Sequence, residues 1–288
     1  MTDAPYRSGH WTSADGLALH YRDYPGGDGR PPILCLHGLT RNARDFDGLA
    51  RALSPDWRVI VPEMRGRGKS DYAASANDYA VPTYVEDVKA LRSELEIDRY
   101  VAIGTSMGGL MTMAQAREDA TPIVGALLND IGPVIEAGGL GRIRGYVGQS
   151  RSYPTWMHAA RALEDVHGSA HPGFALDDWL AMAKRTMTLG NSGRITLDYD
   201  AKIAEPILAS DANAAPPDLW PGYDALATKP LLLVRGAMSD LLAPATFEEM
   251  QRRSPQALSV TVPDTGHAPT LDEPLVREAI GVWLSRIA

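Results

Sequence analysis

Gly104-Thr105-Ser106-Met107-Gly108 lies between an apolar run, Tyr100-Val101-Ala102-Ile103, and an Ala- and Met-rich stretch with helical patterning. The segment reads as a strand that turns sharply into a helix and carries a serine on the turn. Such a turn is crowded, so the positions beside the serine must be nearly free of side chain, and glycine meets that need. The turn lifts the hydroxyl clear of the sheet, where an incoming carbonyl can reach it. With glycine near 7% of residues, a chain of this length shows such a pattern by accident roughly one time in ten. The partners that the rest of the chain supplies therefore decide what the serine is for.

Outward from this turn, short apolar runs alternate with helical stretches. Residues 33–36 precede a helix near 45–53, and 59–61 precede one near 83–95. The run 101–103 leads into a helix over 107–118, and 124–128 follows. Much later come 231–234, a helix over 244–253, 258–262 and a last helix over 274–286. Residues 9–24 read as a hairpin around Asp15-Gly16. Fully apolar strands alternating with helices predict an α/β protein: a mostly parallel, doubly wound sheet of about eight strands, covered on both faces. Between 131 and 223 the alternation stops. Helical patterning appears near 141–149, 153–166 and 176–189, with no clear strand. The stretch reads as a helical lid inserted between core segments 1–130 and 224–288, with Pro216-Pro217 and Pro221-Gly222 marking the return.

Composition narrows the partners. The chain has 288 residues, 44% hydrophobic and 22% charged, enough to bury a core without disulfides or metal. Its 28 basic and 36 acidic residues leave a net charge of −8. That balance argues against nucleic acid and anionic membrane, and fits small, mainly apolar substrates. A homo-oligomer is compatible with the sequence, which fixes no assembly state. The single cysteine, Cys35, sits inside an apolar strand and reads as a small hydrophobe. Met1-Thr2-Asp3-Ala4-Pro5-Tyr6 has neither the basic start nor the apolar run of a signal peptide. No stretch approaches the ~18 apolar residues of a membrane span, so a cytoplasmic location is expected. No cofactor fingerprint is present. His10, His20, His158, His167 and His171 show no metal-ligand spacing and read as surface or lid residues. Arg65 to Lys69 reads as a glycine-rich loop with solvated charges.

In open parallel sheets, ligands bind beyond the carboxyl ends of the strands. That filter retains Ser106, His37-Gly38, Asp130, Asp240 in Gly236-Ala237-Met238-Ser239-Asp240, and His267 in Asp264-Thr265-Gly266-His267. A serine hydroxyl needs a base within hydrogen-bond reach, and the base needs an acid to orient it. Ser106 is the expected nucleophile, His267 the base and Asp240 the acid, with Asp130 as the alternative acid. His37 reads as a structural hydrogen-bonding residue. The Met107 amide, at a helix N-terminus, is aimed as an oxyanion donor.

Together, His37-Gly38-Leu39, Arg65-Gly66-Arg67-Gly68-Lys69-Ser70, Gly104 to Gly109, Gly236 to Asp240 and Gly266-His267 resemble the α/β-hydrolase family over essentially the whole chain except the lid. Glu63 stands where that family usually has an aspartate, a departure expected to affect loop packing. The resemblance implies a Ser–His–acid mechanism without cofactor or metal, and the Leu39 amide as second oxyanion donor. It implies a serine esterase or lactonase acting on a small-molecule ester or lactone. Carbon–carbon bond hydrolases and cofactor-free perhydrolases share the same serine turn, and a ligand receptor on this fold is the non-enzymatic alternative.

Overall fold

The computed structural model describes residues 5–27, 29–209 and 217–287. Met1 to Ala4 of the N-terminal reading, and Pro216 of the lid boundary, lie outside the described residues. The chain opens with β1 (Arg7–Thr12), β2 (Ala18–Tyr24), β3 (Ile33–Leu36), α1 (Asp47–Leu53) and β4 (Val59–Pro62). It continues through α2 (Val81–Glu94), β5 (Tyr100–Thr105), α3 (Met107–Asp119) and β6 (Ile123–Asn129). An inserted stretch holds α4 (Ala137–Tyr146), β7 (Ser152–Tyr153), α5 (Trp156–His167), α6 (Leu176–Thr186), β8 (Met187–Leu189), β9 (Ile195–Leu197), α7 (Glu205–Ala209) and α8 (Trp220–Leu226). The main sheet then resumes with β10 (Leu231–Gly236), α9 (Pro244–Arg253), β11 (Leu258–Val262) and α10 (Pro274–Leu284).

The main sheet has eight strands in the order β1-β2-β4-β3-β5-β6-β10-β11. Of these eight, only β2 runs against the others, since β1 and β4 on either side of it are both antiparallel to it. The central strands are apolar along most of their length because helices cover both faces, and polar residues such as Thr105 and Asn129 come only at their carboxyl ends. Leu34, Leu36, Ala102 and Leu128 point to the layer of α2, α3 and α8. Ile33, Cys35, Val101 and Ile103 point to the layer of α1 and α10. Full burial of each such aliphatic side chain contributes roughly 1.5–3 kcal/mol. Cys35 is fully buried among them, and burial pushes its thiol pKa well up, as expected of a packing residue.

The inserted stretch differs from the all-helical expectation. Its β7, β9 and β8 form a small antiparallel sheet, each strand only two or three residues long. Helices α5 and α6 share a separate apolar cluster that includes Leu163, Trp179 and Met182. Helix α8 straddles the boundary expected at 223, and it packs on α3 and α9 beside the main sheet. There the Gly222 backbone lies against the Met113 carbonyl, and the Tyr223 hydroxyl donates to Met250 O at 2.6 Å. Two clasps tie the inserted stretch to the segments around the main sheet. Arg44 donates to Asp198 Oδ2 at 2.6 Å and to the carbonyls of Arg185 and Met187. Arg142 grips Asp240 through two hydrogen bonds, at 2.6 and 2.8 Å. Among the described residues, no helix is long and apolar enough to cross a membrane.

The Arg65–Lys69 segment departs from its expected solvated state, because Arg65 and Arg67 are both buried. Arg65 lies between Asp87 on α2, at 2.7 and 2.8 Å, and Asp15 in the β1–β2 turn, at 2.8 and 2.9 Å. Arg67 donates to Leu39 O, Arg65 O and the Tyr84 hydroxyl. Buried guanidiniums are tolerated only when paired and hydrogen-bonded in this way. His20, expected at the surface, is buried too, with Nδ1 2.9 Å from Glu63 Oε2 and Nε2 2.7 Å from Ser8 Oγ. Glu63 also accepts from the amides of Ala43 and Lys69, so it knits the loop together.

Candidate active site

Ser106 sits between β5 and α3 with φ +52° and ψ −115°, a conformation that L-residues seldom adopt. The surroundings enforce it. A Cβ on Gly104 would lie 2.6 Å from the carbonyl carbon of Gly108, and one on Gly108 would collide with the Leu36 carbonyl. The Ser106 amide donates to Asn129 O at 3.0 Å, and its carbonyl starts α3 by accepting from Gly109 and Leu110.

The loop after β11 brings His267 to this turn, with Nε2 2.8 Å from Ser106 Oγ. Its Nδ1 lies 2.8 Å from Asp130 Oδ2. Asp130 follows β6, the neighbour of β5, and is fully buried at φ +53°. Its other contacts are the Gly236 amide on Oδ1 and the Ser239 hydroxyl on Oδ2, each at 2.7 Å. With both of those donors committed to Asp130, the natural arrangement is His267 Nδ1–H donating to the carboxylate while Nε2 accepts from the serine hydroxyl.

Asp240, the expected acid, is not brought to His267. Its carboxylate is half-exposed and turned toward Arg142 on α4, whose hydrogen bonds, together with its charge, hold the Asp240 pKa below the ordinary carboxylate value. The physical reason lies in the strand order. β6 stands between β5 and β10, so an acid after β6 reaches the imidazole directly. The loop after β10 offers Gly236 N–H and Ser239 O–H to that acid instead. The Gly236–Asp240 motif thus meets Asp130 through Gly236 and Ser239, while its last residue binds Arg142.

His37 is buried beside the serine turn. Met64 N donates to its Nε2 at 3.1 Å, which leaves Nδ1–H to donate to Gly38 O at 2.8 Å. Burial lowers its pKa to about 4. Arg67 touches both segments expected to supply oxyanion donors. Its Nε donates to Leu39 O at 3.0 Å and its Nη2 lies 3.8 Å from Met107 Sδ. Sequence reasoning missed this role because it took the Arg65–Lys69 charges as solvated.

The pocket over Ser106 is lined by Gly38, Leu39, Arg41, Tyr146, Arg185 and His267, among others. A second lobe under the lid shares Arg41, Tyr146, His167 and Met182 with it. Of the lid aromatics and methionines, Met182 lines both lobes and Met187 the second. Trp179 is buried in the lid cluster, and Met157 faces solvent.

The alpha/beta hydrolase family model matches residues 33–279. The chain belongs to the alpha/beta hydrolase family. This hydrolase is 38% identical over 248 residues, 84% of each chain, to a 3-hydroxybutyrate-oligomer hydrolase of Cupriavidus necator. It is 26% identical over 254 residues, 87% of this chain and 85% of the relative, to a 2-(acetamidomethylene)succinate hydrolase of Mesorhizobium japonicum. The crystal structure of an alpha/beta hydrolase from Novosphingobium aromaticivorans superimposes with a TM-score of 0.95 at 54% identity, covering 99% of both chains.

The hydrolase's buried imidazoles make its stability depend on pH. Burial lowers the pKa of His37 to about 4, of His167 to about 3 and of His171 to about 4, against 6.5 for a free imidazole. Between these values the unfolded chain binds protons that the folded chain refuses, so stability rises with pH there. The stabilisation is fully present above about pH 6.5 and drains as the pH falls toward 4. Melting midpoints measured across that window should fall on acidification, and a His37→Gln variant should show a shallower slope. An unchanged slope in that variant would contradict a neutral, buried His37.

Proposed function

We propose that this chain is a serine ester hydrolase that works through an acyl-enzyme. The observation that carries the proposal is the unbroken hydrogen-bonded line Ser106–His267–Asp130 at the floor of the pocket. Ser106 Oγ attacks the ester carbonyl while His267 Nε2 takes its proton. Asp130 holds the imidazole in the required tautomer and stabilises the imidazolium. The amides of Met107 and Leu39 receive the tetrahedral oxyanion, and each such donor is worth about 3–4 kcal/mol in the transition state. His37 Nδ1–H, bonded to Gly38 O, holds the peptide that carries the Leu39 amide, and Arg67 anchors the next carbonyl along, that of Leu39. Collapse expels the alcohol, which takes the proton from His267. Water then enters by the same route, and the acid leaves from Ser106.

An ester is favoured over the other bonds that such a triad can cleave by the 38% identical relative, named for hydrolysis of 3-hydroxybutyrate oligomers. Short hydroxy-acid esters are thus the first substrates to try. A fluorophosphonate should label the wild-type protein promptly at Ser106 and leave Ser106→Ala unlabelled. Equal hydrolysis of p-nitrophenyl acetate by the two proteins would remove this reading.

A further inference from the structure

The wall beside Ser106 carries more positive charge than an apolar ester requires. Arg41 and Arg185 both line the pocket that contains Ser106 and His267. A single carboxylate serves them both, with Asp45 Oδ1 3.5 Å from Arg41 Nη1 and 3.8 Å from Arg185 Nε. Among the described residues, no hydrogen bond adds to that long ion pair at the Arg41 guanidinium, and Arg185 Nε is buried with no hydrogen-bond partner. The two neighbouring imidazoles, His167 and His171, are held neutral by burial, so they add no charge of their own. The pocket thus carries two guanidiniums against one carboxylate and has unused donors.

Arg41 is rooted beside the serine turn. A methyl group on Gly38 would stand 3.5 Å from Arg41 Cγ and 3.7 Å from Ser106 Cβ, so the two side chains are no more than about 7 Å apart across it. A guanidinium offers five donors in a planar fork that matches a carboxylate, and its pairing is strongest where water is largely excluded. The other cations near the pocket are differently placed. Arg142 is held by Asp240, and Arg44 by Asp198.

We propose that Arg41, with Arg185 beside it, binds a carboxylate of the substrate, so that this hydrolase selects esters carrying a free carboxylate a few bonds from the scissile carbonyl. The inference rests on the ester-hydrolase reading above. It also departs from the mainly apolar substrate that the net charge of −8 suggested, because that charge is spread over the whole surface and says little about one cleft.

Two matched substrate pairs test it. Monoethyl glutarate against ethyl valerate places the carboxylate in the acyl part. 3-Acetoxybutyrate against its methyl ester, followed by acetate release, places it in the alcohol part. Wild type should favour the anionic member of at least one pair in kcat/KM by on the order of tenfold to a hundredfold. In Arg41→Gln that ratio should fall toward one, mainly through KM, and Arg41→Lys should recover part of it. Arg185→Gln should lower the ratio in the same direction. No anionic preference in either pair, or a preference that survives both glutamine variants, overturns the proposal. Failure of the ester reading itself looks different, because no substrate would then be turned over in a Ser106-dependent way.

Discussion

Asp130→Asn is expected to lower kcat by roughly ten-thousand-fold, with little change in KM. Asparagine keeps the size of the side chain but offers no negative charge to the imidazolium, and its amide can present a donor where His267 Nδ1–H needs an acceptor. The buried network amplifies the loss, because Gly236 N–H and Ser239 O–H already point at the same group. Asp240→Asn should behave differently. It breaks the Arg142 clasp on α4, and α4 carries Ile143 and Tyr146 into the pocket. KM should rise, while kcat stays within a few-fold of wild type. Steady-state kinetics on both variants with one ester decides the matter. A ten-thousand-fold loss in Asp240→Asn with an active Asp130→Asn would return the acid to the loop after β10.

Ser106→Ala and His267→Ala should each cost on the order of a million-fold in kcat, and the double variant should cost no more than either alone. The two side chains act as one unit, since a hydroxyl without its base is a poor nucleophile and a base without the hydroxyl has nothing to activate. The 2.8 Å contact between them is the structural statement of that coupling. Residual turnover in every variant should be similar, sustained by the oxyanion donors and by binding. Losses that multiply in the double variant would mean that the residues contribute separately, and the acyl-enzyme mechanism would fail.

The turn around Ser106 was legible in the sequence because its constraints are local. A strand, a strained residue and a helix follow one another within ten positions, and glycine is demanded wherever backbone meets backbone. The parallel sheet was legible for a similar reason, since strands buried on both faces must be apolar throughout. Strands β7, β8 and β9 left no such mark, being too short to show alternation. The acid could not be settled from the chain either. Asp130 and Asp240 both follow strands, and only the order of strands across the sheet shows which one faces His267. His20, Arg65 and Arg67 were misread for a related reason. Their burial depends on Glu63, Asp87, Asp15 and Leu39, partners remote in sequence. Arg41 carries no motif at all, and its significance emerges only from its place beside Ser106.

Asn129 joins the two halves of the reacting pair. Its carbonyl holds the Ser106 amide, and its side-chain amide donates to Pro269 O, two residues past His267, at 2.9 Å. The spacing between hydroxyl and imidazole is therefore set by one residue of the central sheet, ahead of any encounter with substrate. Chemistry in this protein should begin from a preassembled pair. Its early turnovers should show no lag as ligand arrives, because no step that builds the pair has to come before the reaction.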